Sequence, residues 1–238
     1  MIFLIASITP VIIFLYLTYN KDNIKEPKIL LSKCFFGGFL SVVLALIAEE
    51  ILTYAGGIFN SPLLKSFYEG FIVAAAPEEL SKFIILYWLI WKNINFDQYY
   101  DGIIYAVFVS MGFALVENIM YVSHGGLGIA FARAVLAVPG HGFFAVLMGY
   151  YLSLAKFSDG AKKRNFILKS IFFPILFHGF YDFTLLYLSK KSNDPLLCIM
   201  LIIFFTFIVI RLWRQGIKRI KMHVELDRVE PIPLIQNE

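Results

Sequence analysis

The chain has 238 residues, of which 59% are hydrophobic and only 16% charged, with a net charge of +4 and a mean hydropathy of +0.74. A soluble domain carries about 25% charged residues, so too little charge is present to cover a water-facing surface, and a soluble globular domain is excluded. The class that remains is an all-α polytopic membrane bundle, with room for about seven spans of roughly 20 residues each.

Apolar runs predict spans over about 1–19, 35–57, 68–91, 102–123, 128–153, 166–188 and 194–213. The first has no basic leading region and no small-residue cleavage site, so it reads as a retained helix rather than a signal peptide. The second carries Glu49 and Glu50, expected at the rim of whatever the other spans enclose. The third contains Pro77-Glu78-Glu79-Leu80-Ser81-Lys82. At helical spacing Lys82 lies i,i+4 from Glu78 and i,i+3 from Glu79, so it can partner either carboxylate. A structural salt bridge for one buried lysine needs one carboxylate, and here there are two.

The fourth span contains Glu117-Asn118 and, one turn on, Tyr121. Polar residues of this kind also serve as glue between membrane helices. The fifth carries Arg133 ahead of Pro139-Gly140-His141-Gly142; Arg133 can snorkel outward or pair with a carboxylate. A single histidine is more often a satisfied core residue than a ligand. The sixth contains His178 and Asp182 at i,i+4, where a carboxylate can hold an imidazole in one tautomer. His124 and His223 read as ordinary exposed histidines. Residues 1–222 are expected to form the membrane domain, and 223–238, polar and proline-containing, a short cytoplasmic tail. Cys34 and Cys198 fall near opposite faces and are not expected to pair.

Loop charge sets the orientation. Lys21, Lys25, Lys28, Lys33, Lys92, the cluster Lys156 to Lys169 and the run Arg211 to Arg228 fall on one side, sixteen in all, against Lys65, Lys190 and Lys191 on the other. The N-terminus is therefore expected outside and the C-terminus in the cytoplasm. At about 1.5 Å per residue, the acids and histidines lie near mid-membrane, displaced outward.

An ionisable group costs about 2.5–3.5 kcal/mol at the centre of a membrane helix even on a lenient scale. Glu78, Glu79, Glu117, His141 and His178 lie on four spans, which implies one shared polar chamber. No serine or cysteine is placed as a nucleophile, so the chemistry expected is hydrolysis by activated water, with a glutamate as base and a histidine, Asn118 or the second glutamate stabilising the oxyanion. The same five side chains could hold a divalent metal such as zinc; the sequence leaves metal-bound and metal-free forms open. No His-Glu-x-x-His motif is present.

Glu78-Glu79-x-x-Lys82, Tyr100-Asp101-Gly102-Ile-Ile-Tyr105 running into Gly112-Phe113-x-x-x-Glu117-Asn118, Arg133 ahead of His141, and His178-Gly-x-Tyr181-Asp182 together resemble the PrsW family of bacterial intramembrane proteases, itself distantly similar to the CAAX prenyl proteases. The resemblance covers the first span through the sixth. It implies a multi-pass protein of the bacterial plasma membrane whose active site is Glu78, Glu79, Glu117, His141 and His178, supported by Lys82, Asn118, Arg133 and Asp182. It further implies site-one cleavage of a membrane-anchored anti-sigma factor in an envelope-stress response; no nucleic-acid partner is expected. The main competing reading is a proton-coupled transporter built on the same carboxylates and histidines; inverted repeats with broken helices would mark one, and none is visible. A third is a membrane scaffold or sensor whose glutamates serve stability alone.

Overall fold

A computed structural model describes residues 2–191 and 193–229. Among these the chain is helical throughout, without strands. The helices are α1 (Ile2–Lys21), α2 (Lys28–Ala55), α3 (Pro62–Tyr68), α4 (Ala76–Ile90), α5 (Tyr99–Ala132), α6 (Val138–Lys156), α7 (Gly160–Lys190) and α8 (Pro195–Val229). Five segments among the described residues are long and apolar enough to cross a membrane. One of them, Tyr99–Lys156, is 58 residues long, about twice a single span. It is kinked at Gly126, whose φ of 71° belongs to the left-handed region that glycine adopts without strain. The expected boundary between the fourth and fifth spans falls on this kink.

Helix α5 is the centre of the bundle. It packs on α1, α2 and α6, and α6 in turn packs on α7 and α8. Tyr100, Ile103, Ile104, Tyr105 and Met111 of α5, Phe144, Leu147 and Met148 of α6, and Leu86 and Ile90 of α4 are the large side chains wholly buried between them. Helices α1, α2 and α8 turn many of their isoleucines and leucines outward, as a lipid-facing layer does. The α2–α5 crossing is close because Gly38 and Gly112 oppose each other. A Cβ on Gly112 would stand 1.9 Å from the carbonyl oxygen of Phe35.

Two π turns interrupt the bundle, Glu69–Ala75 before α4 and Arg133–Ala137 before α6. Each precedes a proline, Pro77 or Pro139, in the first turn of the helix that follows. A proline ring clashes with the carbonyl four residues back. Widening the turn removes that clash, and the residue before each proline bonds five back, Ala76 to Phe71 and Val138 to Arg133.

At the end of the bundle bearing the Lys21–Lys28 loop, α8 runs on past its apolar half. Asp227 accepts the backbone N–H groups of Tyr99 (2.7 Å) and Tyr100 (2.8 Å), capping α5. Asp101 accepts those of Asp97 and Gln98, and Tyr105 donates to Glu26. Burial pushes Glu26, in the loop between α1 and α2, up to about 7. One expectation is corrected here. His223 is fully buried, stacked on Tyr150 at 4.3 Å, and burial lowers its imidazole to about 3. Its helix extends to Val229 without a break at residue 223, so 223–229 continue α8; the rest of the expected tail, 230–238, lies outside the described residues. Cys34 and Cys198 are both free thiols.

Candidate active site

The Pro77 turn aims Glu78 and Glu79 inward from the start of α4, and both are buried. Lys82, one turn later, reaches both at once. Its ammonium donates to Glu79 Oε1 at 2.8 Å and to Glu78 Oε2 at 3.0 Å. It also lies 3.3 Å from His141 Nδ1 and 3.9 Å from the centre of the Phe113 ring. A lysine 1% exposed is tolerable in such a place because every side of its charge has a partner.

His141, on α6 just after Pro139, faces the lysine with Nδ1, which must therefore accept. Its Nε2–H donates to Glu117 Oε2 at 2.7 Å. Glu117 also receives Arg133 Nη2 at 2.9 Å, while Arg133 Nε donates to Asn118 Oδ1 at 2.8 Å. Of its two sequence alternatives, Arg133 takes the pairing one. Asn118 is anchored in turn by donating to the Ser7 carbonyl of α1 at 2.8 Å. His178, on α7, closes the other flank: Nδ1 lies 3.0 Å from Glu79 Oε1 and Nε2 lies 3.2 Å from Asp182 Oδ2. Phe144 stacks flat on the His178 ring at 4.8 Å.

All five candidate residues and the four supporting ones thus belong to one polar network. Glu78, Glu117, His141, His178 and Asp182 line a cavity of about 500 Å³. Glu49 of α2 also lines it, while its neighbour Glu50 is exposed. Sequence reading missed three contributors. Phe113 lay inside a motif already singled out and Phe144 two residues beyond another, yet an aromatic ring carries no mark of what it covers. The Ser7 carbonyl is backbone, and backbone acceptors leave no trace in a sequence.

Four side chains offer ligand atoms within 4.8 Å of one another: Glu78, Glu79, His141 and His178. Two oxygens and two nitrogens suit zinc or a similar ion, and Glu79 Oε2 is buried without a hydrogen-bond partner. The donor types therefore fit a divalent metal, which would replace the Lys82 ammonium as the cation beside Glu78, Glu79 and His141. Glu117, a candidate ligand on sequence grounds, lies outside this group. It stands behind His141, hydrogen-bonded to Nε2, where a carboxylate can fix the orientation and tautomer of an imidazole.

A helical membrane bundle that gathers carboxylates, histidines and a lysine at the floor of one cavity belongs to the class of intramembrane enzymes. The model of the family described as "PrsW family intramembrane metalloprotease" matches residues 26–210. Relatives described as "Protease PrsW" are similar over most of their length. That of Geobacillus kaustophilus is 31% identical, covering 98% of this chain and 97% of the relative. That of Halalkalibacterium halodurans is 34% identical over 94% and 98%, and that of Bacillus subtilis 36% over 78% and 83%. No solved structure matches. The chain belongs to the PrsW family: it is a multi-pass membrane protease.

Proposed function

We propose that this protease hydrolyses a peptide bond of a membrane-anchored anti-sigma factor near the extracytoplasmic surface, as the first cut of an envelope-stress response. Seven crossings with the N-terminus outside, read from the loop charges, orient the chamber toward that side. The observation that carries the reading is the convergence of Glu78, Glu79, His141 and His178 within 4.8 Å beside a cavity of about 500 Å³.

Of the two paired glutamates only Glu78 lines the cavity, so Glu78 is the carboxylate that meets water. It takes a proton from water as the oxygen attacks the carbonyl carbon. It then returns that proton to the amide nitrogen as the C–N bond breaks. Glu79, held between Lys82 and His178, keeps those two groups in place. Glu117, locked by Arg133, fixes the tautomer of His141. A divalent ion held by Glu78, Glu79, His141 and His178 would supply Lewis acidity and lower the proton affinity of a bound water. The resident metal proposed is zinc or an ion of similar preference.

The test is cleavage of a co-expressed, tagged anti-sigma factor by wild type and Glu78→Gln, with and without chelator. Loss in the variant, with the protein still inserted, is expected. Cleavage that survives Glu78→Gln removes that residue from the mechanism. A chelator effect in wild type supports the metal.

A further inference from the structure

We infer that a groove between α1 and α8, outside the active-site cavity, binds an anionic phospholipid. The groove has a volume of about 780 Å³. Its lining includes Phe14 and Leu17 of α1, Phe143 of α6 and Trp213 of α8, and, further along the same two helices, Lys21 of α1 and Lys221 of α8. Asn20 adds an amide beside Lys21, and Arg228 lies further along the same rim with Glu225 beside it at 4.0 Å.

Packing creates this shape. Phe14 lies over Gly142, where a Cβ would meet its ring at 2.2 Å, and Phe143 lies over Gly216 with the same clearance. The two rings meet edge to face at 5.6 Å, and Phe143 is 5.6 Å from Trp213. These aromatics form a floor, and the helices stand apart above it. Further along, Asn23 of the α1–α2 loop touches the Val224 carbonyl at 3.4 Å.

The dimensions match the proposed ligand. Phe14 to Lys21 is seven residues and Trp213 to Lys221 eight, so the aromatic floor and the two lysine positions are separated by roughly 10–12 Å of helix rise. An apolar groove in a membrane protein is bathed by acyl chains. Basic pockets between membrane helices select lipids with negative headgroups. Among the described residues that line the groove, Lys21, Lys221 and Arg228 stand with one carboxylate, Glu225, which leaves the rim positive, suits a phosphodiester that carries net charge and disfavours a zwitterion. The groove also touches the catalytic machinery, because Gly142, under Phe14, is the residue after His141.

Trp213 supplies the reporter. The chain has three tryptophans; Trp88→Phe and Trp91→Phe leave Trp213 alone. The full chain in phosphatidylcholine vesicles is titrated with phosphatidylglycerol brominated in its acyl chains, and Trp213 quenching is compared with that from brominated phosphatidylcholine. The expected result is preferential quenching by the anionic lipid, weakened about fivefold by each of Lys21→Gln and Lys221→Gln and restored by Lys21→Arg. Arg214→Gln with Lys218→Gln, basic positions of α8 outside the groove, is expected to leave it unchanged. Four results overturn the proposal. Quenching that follows mole fraction alike for both lipids means ordinary annular lipid. A loss as large in the Arg214/Lys218 control means general surface attraction. Preference that persists in the Lys21→Gln, Lys221→Gln double variant places the lipid elsewhere. Trp213 shielded from both lipids, in a chain that crosslinks as a dimer, means a second copy covers the groove. The readout is independent of proteolysis, so it stands or falls apart from the proposed function.

Discussion

Replacing Lys82 with methionine, close to it in length and uncharged, tests whether this one cation holds the acidic cage together. Its ammonium is the cation shared by Glu78 and Glu79, at 3.0 and 2.8 Å, and all three side chains are buried. Removing one partner of a buried ion pair costs about 3–5 kcal/mol, because the charge left behind has lost both water and counter-ion. Here two carboxylates are left, so the upper half of that range is expected. For a chain of this size each kcal/mol moves Tm by roughly 2–4 °C, giving a fall of about 8–20 °C. Cys34 provides the assay, since it is buried in the core. With Cys198→Ser in the background, a thiol-reactive dye reports Cys34 exposure as the detergent-solubilised protein is heated. Adding Glu79→Gln to Lys82→Met removes one of the stranded charges and is expected to recover part of the loss. A Tm for Lys82→Met within about 2 °C of wild type, or a double variant less stable than the single one, refutes the view of Lys82 as the counter-ion of both glutamates.

Three further outcomes are expected. Arg133→Gln frees Glu117 and lets His141 turn, so cleavage falls about 10–100-fold; Arg133→Lys recovers only part of this, because one ammonium does not reproduce the separate bonds to Asn118 and Glu117. Full activity in Arg133→Gln would remove the orienting role. Gly112→Ala places a methyl against the Phe35 carbonyl and lowers stability by about 1–3 kcal/mol or more, read as a shift in the same thermal assay; an unchanged Tm would mean that the α2–α5 crossing is looser than 1.9 Å implies. Glu26 has a raised folded value, up from 4.5 to about 7. Folding therefore favours its neutral form. The associated stability is complete below pH 4.5 and is lost as pH rises through about 7. Glu26→Gln is expected to flatten the decline of Tm between those limits, and an equal decline in both proteins contradicts the assignment.

The parts of the site that were legible in the sequence are those written within one helix. Lys82 at i,i+4 and i,i+3 from two glutamates, and His178 at i,i+4 from Asp182, follow from helical spacing, and both geometries are found. Joining His141 to Glu117, and Glu79 to His178, requires knowing which helices touch, and spacing along one helix carries no such information. The cost of placing acids in lipid supplied the inference that they converge. It did not say that Glu117 would stand behind His141 rather than beside Glu78. The last helix misled for a different reason. Its second half is rich in charge, yet Leu212, Gly216 and His223 are buried and Asp227 reaches the cap of α5. These positions are spaced four, seven and four residues apart, one or two helical turns each, a narrow seam that average polarity hides. The wide turns before Pro77 and Pro139 were also unread, although a proline beside a buried acid or histidine is the signal that could have found them.

Those wide turns bear on how such a protein can change over evolution. A π turn holds one residue more than an α turn, and one residue is a rotation of about 100° about the helix axis. Upstream of each turn the chain is phased to its lipid and helix neighbours; downstream it is phased to the cage. The two phases are set independently, with the slack taken up in the turn. A one-residue insertion or deletion within 69–75 or 133–137 would re-aim Glu78 and Glu79, or His141, while leaving the outer contacts of the same helix in register. In a straight α-helix the same event would tear one set of contacts or the other. The turns are thus places where the orientation of the buried glutamates and His141 can be revised one residue at a time, without rebuilding the membrane-facing shell.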